Sequence, residues 1–164
     1  MTVPVEALLA PVPEIYLPEG QDLCNMSQGR VAFGSRAWEV LKRFDDEVGQ
    51  GAPVLIYASV SSEHRGPVVS WVATWHGLVF ALKDGSHPDG DEFRPPSTTL
   101  GGEDGAGYWF AFWEVTRLHP LDRESWIPIR TLRKPSGGKF KADFIPEGPT
   151  LVGTLPKGVA RFLA

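Results

Sequence analysis

The sequence contains a single cysteine, Cys24. No internal disulfide can form, which points to a reducing compartment. Cys24 also has no Cys or His neighbours at the short spacing of a zinc site, so it reads as a partly buried, inert thiol. Long hydrophobic runs are missing as well. No stretch reaches the roughly 18 apolar residues of a membrane helix. Met1–Ala10 lacks the basic start and apolar core of a secretory leader. These absences give an expected cytoplasmic location with no membrane contact. Excess positive charge is absent too: the formal net charge is −4. That argues against a protein that coats nucleic acid indiscriminately, while leaving room for a local basic groove.

Familiar catalytic signatures are not found either. There is no phosphate-cradling glycine loop with its lysine, no strand–GxGxxG–helix unit and no Gly-x-Ser-x-Gly elbow. His64, His76, His87 and His119 are widely spaced and lack the pairing of a helical zinc site. Asp89, Asp91 and Glu92 do not have calcium-loop spacing. No metal and no cofactor is expected, and no residue can be assigned a catalytic role from pattern alone. His87, in the turn-like string Gly85-Ser-His-Pro-Asp-Gly90, reads as the most exposed histidine.

What is present is punctuation and aromatic rings. Fifteen prolines and eighteen glycines in 164 residues suit short strands and shaped loops rather than a helical bundle. The 42% apolar content is that of one ordinary globular domain. Residues 1–29 carry Pro4, Pro11, Pro13, Pro18 and Gly20 and read as an extended N-terminal arm, with Glu14–Leu17 a short edge strand. Residues 30–164 then form a single domain. Ser35–Val48 is the best helix, with Ser35 as its cap and Trp38, Leu41, Phe44 and Val48 as its apolar face. Three strand-like segments follow: Pro53–Ser59, Pro67–Phe80 with a bulge or turn at Gly77, and Tyr108–Leu118. In two of them both parities are apolar, which predicts strands covered on both faces, as in a β-barrel with the helix packed outside. A short strand near Thr150–Val152 and one helical turn at Val159–Leu163 close the chain.

The segment Asp84–Gly107 carries six acids against Arg94 alone and has little periodicity. It reads as either a functional lid or a disordered loop. The next stretch reverses the charge. Arg117, Arg130, Arg133, Lys134, Lys139 and Lys141 are candidate phosphate contacts. Pro135-Ser-Gly-Gly138 would join Trp126–Leu132 to Lys139–Phe144 as a basic hairpin.

Six tryptophans are more than a core of this size requires. Side chains two or four apart along a strand share a face, so Trp71 pairs with Trp75 and Trp109 with Trp113. They line either a closed core or a pocket for a flat ligand.

The order of these segments resembles the PUA-like superfold and its EVE and ASCH branches. The resemblance rests on Gly51-Ala-Pro-Val-Leu-Ile-Tyr57-Ala-Ser59, the strand Val68–Thr74, the long insertion, the string Tyr108-Trp-Phe-Ala-Phe-Trp-Glu-Val115, and Trp126-Ile-Pro-Ile129. It covers about Ser35–Val152. Ala52 and Pro53 stand where that family commonly has an acidic residue. The resemblance implies a small PUA-like β-barrel and a nucleic-acid-linked module that reads a modified or flipped base in RNA or DNA. Its pocket would be formed by Tyr57, Ser59, Trp71, Trp109 and Trp113. Two other readings stand beside it. One is a hydrolase of nucleoside-like small molecules, with Glu114 or His87 as general base. The other is a protein–protein adaptor displaying its tryptophans.

Overall fold

In the computed structural model, which describes residues 2–26, 29–61, 66–100 and 103–159, strand outweighs helix. The strands are β1 (Ala7–Pro13), β2 (Arg30–Ser35), β3 (Pro53–Ser59), β4 (Val68–Val69), β5 (Trp71–Phe80), β6 (Ala111–Pro120), β7 (Ile127–Pro128) and β8 (Thr150–Val152). The helices are α1 (Tyr16–Cys24), α2 (Trp38–Glu47) and the short α3 (Pro96–Leu100). No helix among the described residues is long and apolar enough to cross a membrane.

Six strands form one sheet in the order β2-β6-β5-β3-β1-β8, and β4 pairs with β7 in a separate two-stranded ribbon. The β1–β3 pair is parallel and the other neighbours are antiparallel. The ladder ends at β2 and β8 and does not close on itself among the described residues, so the sheet is open. The two-sided apolar strands expected of a barrel are present, but layers satisfy them instead. One face packs Leu8, Val54, Ile56, Trp75 and Val115 against Leu17 of α1 and Leu41 and Phe44 of α2. The other packs Leu9, Leu55 and Val72 against Ile127, Ile129, Leu132 and Phe140. Burial of apolar surface on both sides needs two covering layers, not ring closure.

The expected strands are found with small shifts. β3 spans the predicted residues, and the predicted irregularity at Gly77 is a register shift between Trp75 and Gly77. The helix is shorter than expected. Ser35 ends β2, and its Oγ accepts the Ala37 N–H at 3.0 Å ahead of α2. Trp38, expected in the core, is 39% exposed.

The N-terminal arm is the main correction. Residues 7–13 are an integral strand, and α1 occupies the stretch expected to hold an edge strand. The prolines fit because of the ladder's geometry. Glu14 N–H donates to Ser59 O at 2.8 Å, and alternate residues of a strand turn their N–H to alternate edges. Pro11 and Pro13 therefore face away from β3, beyond Leu9, where β8 no longer pairs. Pro18 falls in the first turn of α1, where an N–H has no helical partner.

The basic hairpin also differs. Ile127–Pro128 pairs with Val68–Val69, and only one bridge, Arg133 to Lys139, closes the Pro135–Gly138 turn. The predicted turn at Val159–Leu163 falls mostly outside the described residues, as does His64.

Because β1 is core rather than arm, Leu9→Ala is expected to cost about 2–5 kcal/mol, the usual range for truncating a buried leucine. Urea denaturation of the two proteins measures it, and a loss below about 0.5 kcal/mol would restore the arm reading.

Candidate functional site

β1 is bounded by β8 only up to Leu9. Past that point its outer edge is open, and a cleft begins there. Its first lobe, about 200 Å³, is lined by Pro11, Val12 and Pro13 of β1, Tyr16, Phe33 and Gly34 of β2, Arg94, Thr98 and Glu103, and by Trp109 and Trp113. A second lobe of about 270 Å³ shares Pro11, Gly34, Trp109 and Trp113 and adds Arg36, Tyr108 and Glu147. Both volumes lie below the roughly 300–1,000 Å³ of drug-sized ligand sites. Each lobe suits one small ring.

Trp109 forms a wall common to both lobes, and it is held from several sides. Gly34 lies under its ring: a Cβ there would meet the indole at 2.5 Å, so only glycine allows the contact. Its Nε1–H donates to Asp104 Oδ1 at 2.9 Å. Tyr108 packs edge-on at 4.6 Å between centroids. Asp104 in turn accepts from Arg94, Nε at 2.7 Å and Nη2 at 2.9 Å, and Arg94 Nη1 donates to Ala32 O at 2.6 Å. Arg94 is buried, its guanidinium 4.9 Å from the Phe112 ring centroid. The stacking wall is thus set before any ligand arrives.

A second polar cluster pins the start of the insertion. His87, expected to be the most exposed histidine, is buried at 2% exposure. Its Nδ1 accepts the Asp89 N–H at 3.0 Å, which leaves Nε2 as the protonated nitrogen of the neutral ring. Nε2–H then donates to Glu114 Oε2 at 2.9 Å. Glu114 Oε1 faces Arg30 Nε at 3.4 Å, and Arg30 stacks on Phe93 at 3.8 Å. Burial pushes the Glu114 carboxyl up, but the His87 hydrogen bond and the Arg30 charge outweigh it and hold it below the ordinary value. With His87 and Arg94 both buried, Asp84–Gly107 is anchored at two points, which removes the basis for a freely opening lid.

The predicted site residues are only partly brought together. Trp109 and Trp113 share the cleft. Trp71 lies in the helix-side core with Trp75, whose Nε1–H is satisfied by Asp45 at 2.8 Å, and Trp71 is not among the cleft's lining residues. Tyr57 packs on the opposite face of the sheet, against the second core. Ser59 ends β3 opposite Pro13. Among the cations, Arg130, Arg133 and Lys139 line one recess of about 470 Å³, and Lys134 lines an adjoining groove. Lys141 is exposed beyond Phe140. Arg117 is separate, on β6 at φ 55 where the strand bulges.

Sequence reasoning missed Gly34, Tyr16, Arg94 and Asp104. The one available signal was Arg94, a lone base among six acids. Cys24 behaves as expected: it is half-buried, its Sγ–H donates to Val115 O at 3.6 Å, and burial raises its pKa. No group of three or more metal-ligating side chains occurs among the described residues. No family model matches the chain, and no curated protein matches it.

A carboxylate whose folded pKa is depressed adds stability above its ordinary value, near 4.5 for glutamate, and loses it as pH falls through the lower folded value. Glu114→Gln is therefore expected to flatten the acid side of the stability profile, between about pH 5 and pH 3. Denaturation midpoints across that range test this. Parallel profiles for the two proteins would show that Glu114 carries no such linkage.

Proposed function

We propose that this protein is a nucleic-acid-linked binding module that takes one planar ring, a modified or flipped base of RNA or DNA, into the Trp109–Trp113 cleft. The observation that carries the reading is the fixed Trp109 indole, shared by two lobes each sized for a single ring. Stacking of a base on an aromatic face is sequence-tolerant and worth about 1–3 kcal/mol. The PUA-like assignment and the cytoplasmic location form part of the same proposal. What supports the former is a mainly β domain with its largest helix packed on the sheet.

The distribution of cations supports a polyanionic ligand. The second lobe shares Pro149 with a groove of about 770 Å³ that carries Arg43 and Lys134. That groove shares Phe140 with the recess of Arg130, Arg133 and Lys139. A strand with one base in the cleft would meet Lys134, Arg130, Arg133 and Lys139 along this path, while Arg43 is paired with Glu47 at 3.0 Å. Glu39 and Glu147 also border this path, so attraction depends on local charge rather than on a uniformly positive face. The hydrolase alternative loses the general base it nominated: Glu114 and His87 are buried against each other and line neither lobe.

Titration of modified and unmodified single-stranded oligonucleotides, followed by tryptophan fluorescence at two salt concentrations, tests the proposal. Trp109→Ala is expected to weaken binding roughly 5- to 150-fold. Gly34→Val, whose Cβ would clash with the indole and displace it, should weaken it comparably with the stacking ring still present. Replacing Arg133 and Lys134 together should lower the salt slope by about 1.4, at about 0.7 per single-strand phosphate contact. Absence of any binding at micromolar protein would defeat the reading.

A further inference from the structure

The end of the sheet beside the cleft carries an unusual surface. Three segments meet there. Ser35 and Phe80 both pair with Ala111, the first residue of β6. Phe110 N–H donates to Ser35 O at 3.1 Å, and Ala81 N–H donates to Phe110 O at 3.0 Å. These bonds bring Phe80 (50% exposed), Leu82 (52%), Tyr108 (44%) and Phe110 (45%) to one end of the sheet, and Trp38 (39%) joins Phe80 there. They account for half of the large hydrophobic side chains exposed on the described surface. Trp38 and Phe80 meet edge-on at 6.0 Å. A folded monomer rarely leaves such a cluster uncovered without a use for it.

Arg36 decides what the patch suits. Its guanidinium lies over Phe110 at 4.9 Å and over Tyr108 at 5.3 Å from the ring centroids. It also lines the second lobe of the cleft, as does Tyr108. A cation therefore stands at the boundary between the cleft and the exposed rings. A guanidinium stacked by its face keeps its in-plane N–H donors available for a phosphate. When one base of a strand occupies the cleft, the phosphate leading to its neighbour has to leave past that boundary, and the neighbour meets aromatic faces. Glu147 lines the same lobe with the opposite sign.

We infer that the Arg36–Trp38–Phe80–Phe110 surface is a stacking platform for the unpaired bases that flank the one held in the cleft. The protein then recognises a short single strand rather than an isolated nucleoside or an intact duplex. This inference rests on the base-binding reading of the cleft. Exposed rings interleaved with arginine are what sequence-tolerant single-strand binding uses. A duplex keeps its bases stacked on one another and would offer this surface only its backbone.

The test uses the whole protein and two kinds of probe: the four nucleoside 5′-monophosphates, and a random-sequence pool of single-stranded RNA and DNA pentamers. Affinities come from calorimetry and from fluorescence anisotropy of the labelled pool. Pentamers are expected to bind at least about tenfold more tightly than monophosphates. Trp38→Ala and Phe110→Ala, both at exposed positions outside the cleft lining, should each weaken pentamer binding roughly 5- to 150-fold. Monophosphate binding should not change. Arg36→Lys, which keeps the charge but loses the planar stack, should also weaken pentamer binding. Thermal melts confirm that the variants fold. Monophosphates that bind as well as pentamers, or patch variants that bind pentamers like the parent, would overturn the platform and leave the cleft reading intact. Binding of neither probe would overturn the cleft reading, and the platform with it. Concentration-dependent sedimentation abolished by Phe110→Ala would assign the patch to contact between copies of this chain instead, and would also overturn the platform.

Discussion

The guanidinium of Arg94 ties two parts of the molecule together. One edge binds Asp104 through two nitrogens, and the remaining nitrogen binds the carbonyl of Ala32 in β2. Asp104 in turn fixes Trp109. Withdrawing such a pair from water costs several kcal/mol per ion, and the loss is offset only when every buried donor is matched. Here each of the three guanidinium nitrogens has a partner, through three of the five N–H groups. The net stability of the pair is therefore modest. Its consequence is positional: the insertion lies against the β2 edge, and the indole stands where the two lobes need it. Without this fork the cleft would be a groove with one loose aromatic wall.

The other constraint lies in the backbone. β1 carries two prolines whose missing N–H groups leave its outer edge unable to accept further pairing. β8 stops after three residues, at Thr150 opposite Leu9. The same feature protects the edge from aggregation and opens the space the cleft occupies. Sheet order and cavity thus have one origin. The aromatic load follows from it, because Trp113 and Phe33 face a volume that no strand fills. Trp75, by contrast, is fully enclosed against Phe44 and is satisfied by Asp45.

β3 was legible because both parities of Val54–Ala58 are apolar, which only a doubly covered strand explains. The bulge near Gly77 was legible from the glycine itself. β1 was not, because Pro11 and Pro13 weigh against any strand. The rule behind that judgement is right, since the prolines do sit on an open edge, but that edge begins only after Leu9. α1 was hidden by Pro18 and Gly20. The glycine gives room there: a Cβ would meet Leu118 Cδ2 at 2.8 Å and force that side chain to shift. Strand parity put Trp109 with Trp113, and both line the cleft, but Trp109 precedes β6 and is placed by Gly34 and Asp104 rather than by the ladder. Tyr57 and Trp71 could not be sorted from parity, because it says which residues share a face but not which face of a two-sided sheet carries the opening. His87 and Glu114 are 27 residues apart and Arg94 and Asp104 are 10 apart. Neither pairing has a local signature.

Those pairings also change how the charge of the chain acts. Counted along the sequence, the insertion is a block of negative charge that would repel a polyanion. In the folded protein Asp104 is neutralised by Arg94, and Asp89 lies 3.7 Å from Arg30. Asp84 is taken up by its own turn, bonding the N–H and hydroxyl of Ser86. Of these acids Asp104 is therefore neutralised inside the fold and Asp89 lies near a cation at the surface, while Arg36, Lys134 and Arg133 line or border the open path. At physiological salt a surface charge is felt over only about 8 Å. A ligand at the cleft consequently meets the groups within that distance and not the net charge of −4. An overall acidic chain and a phosphate-bearing ligand are compatible here because the fold pairs acids with buried or neighbouring arginines and leaves other cations beside the aromatic opening.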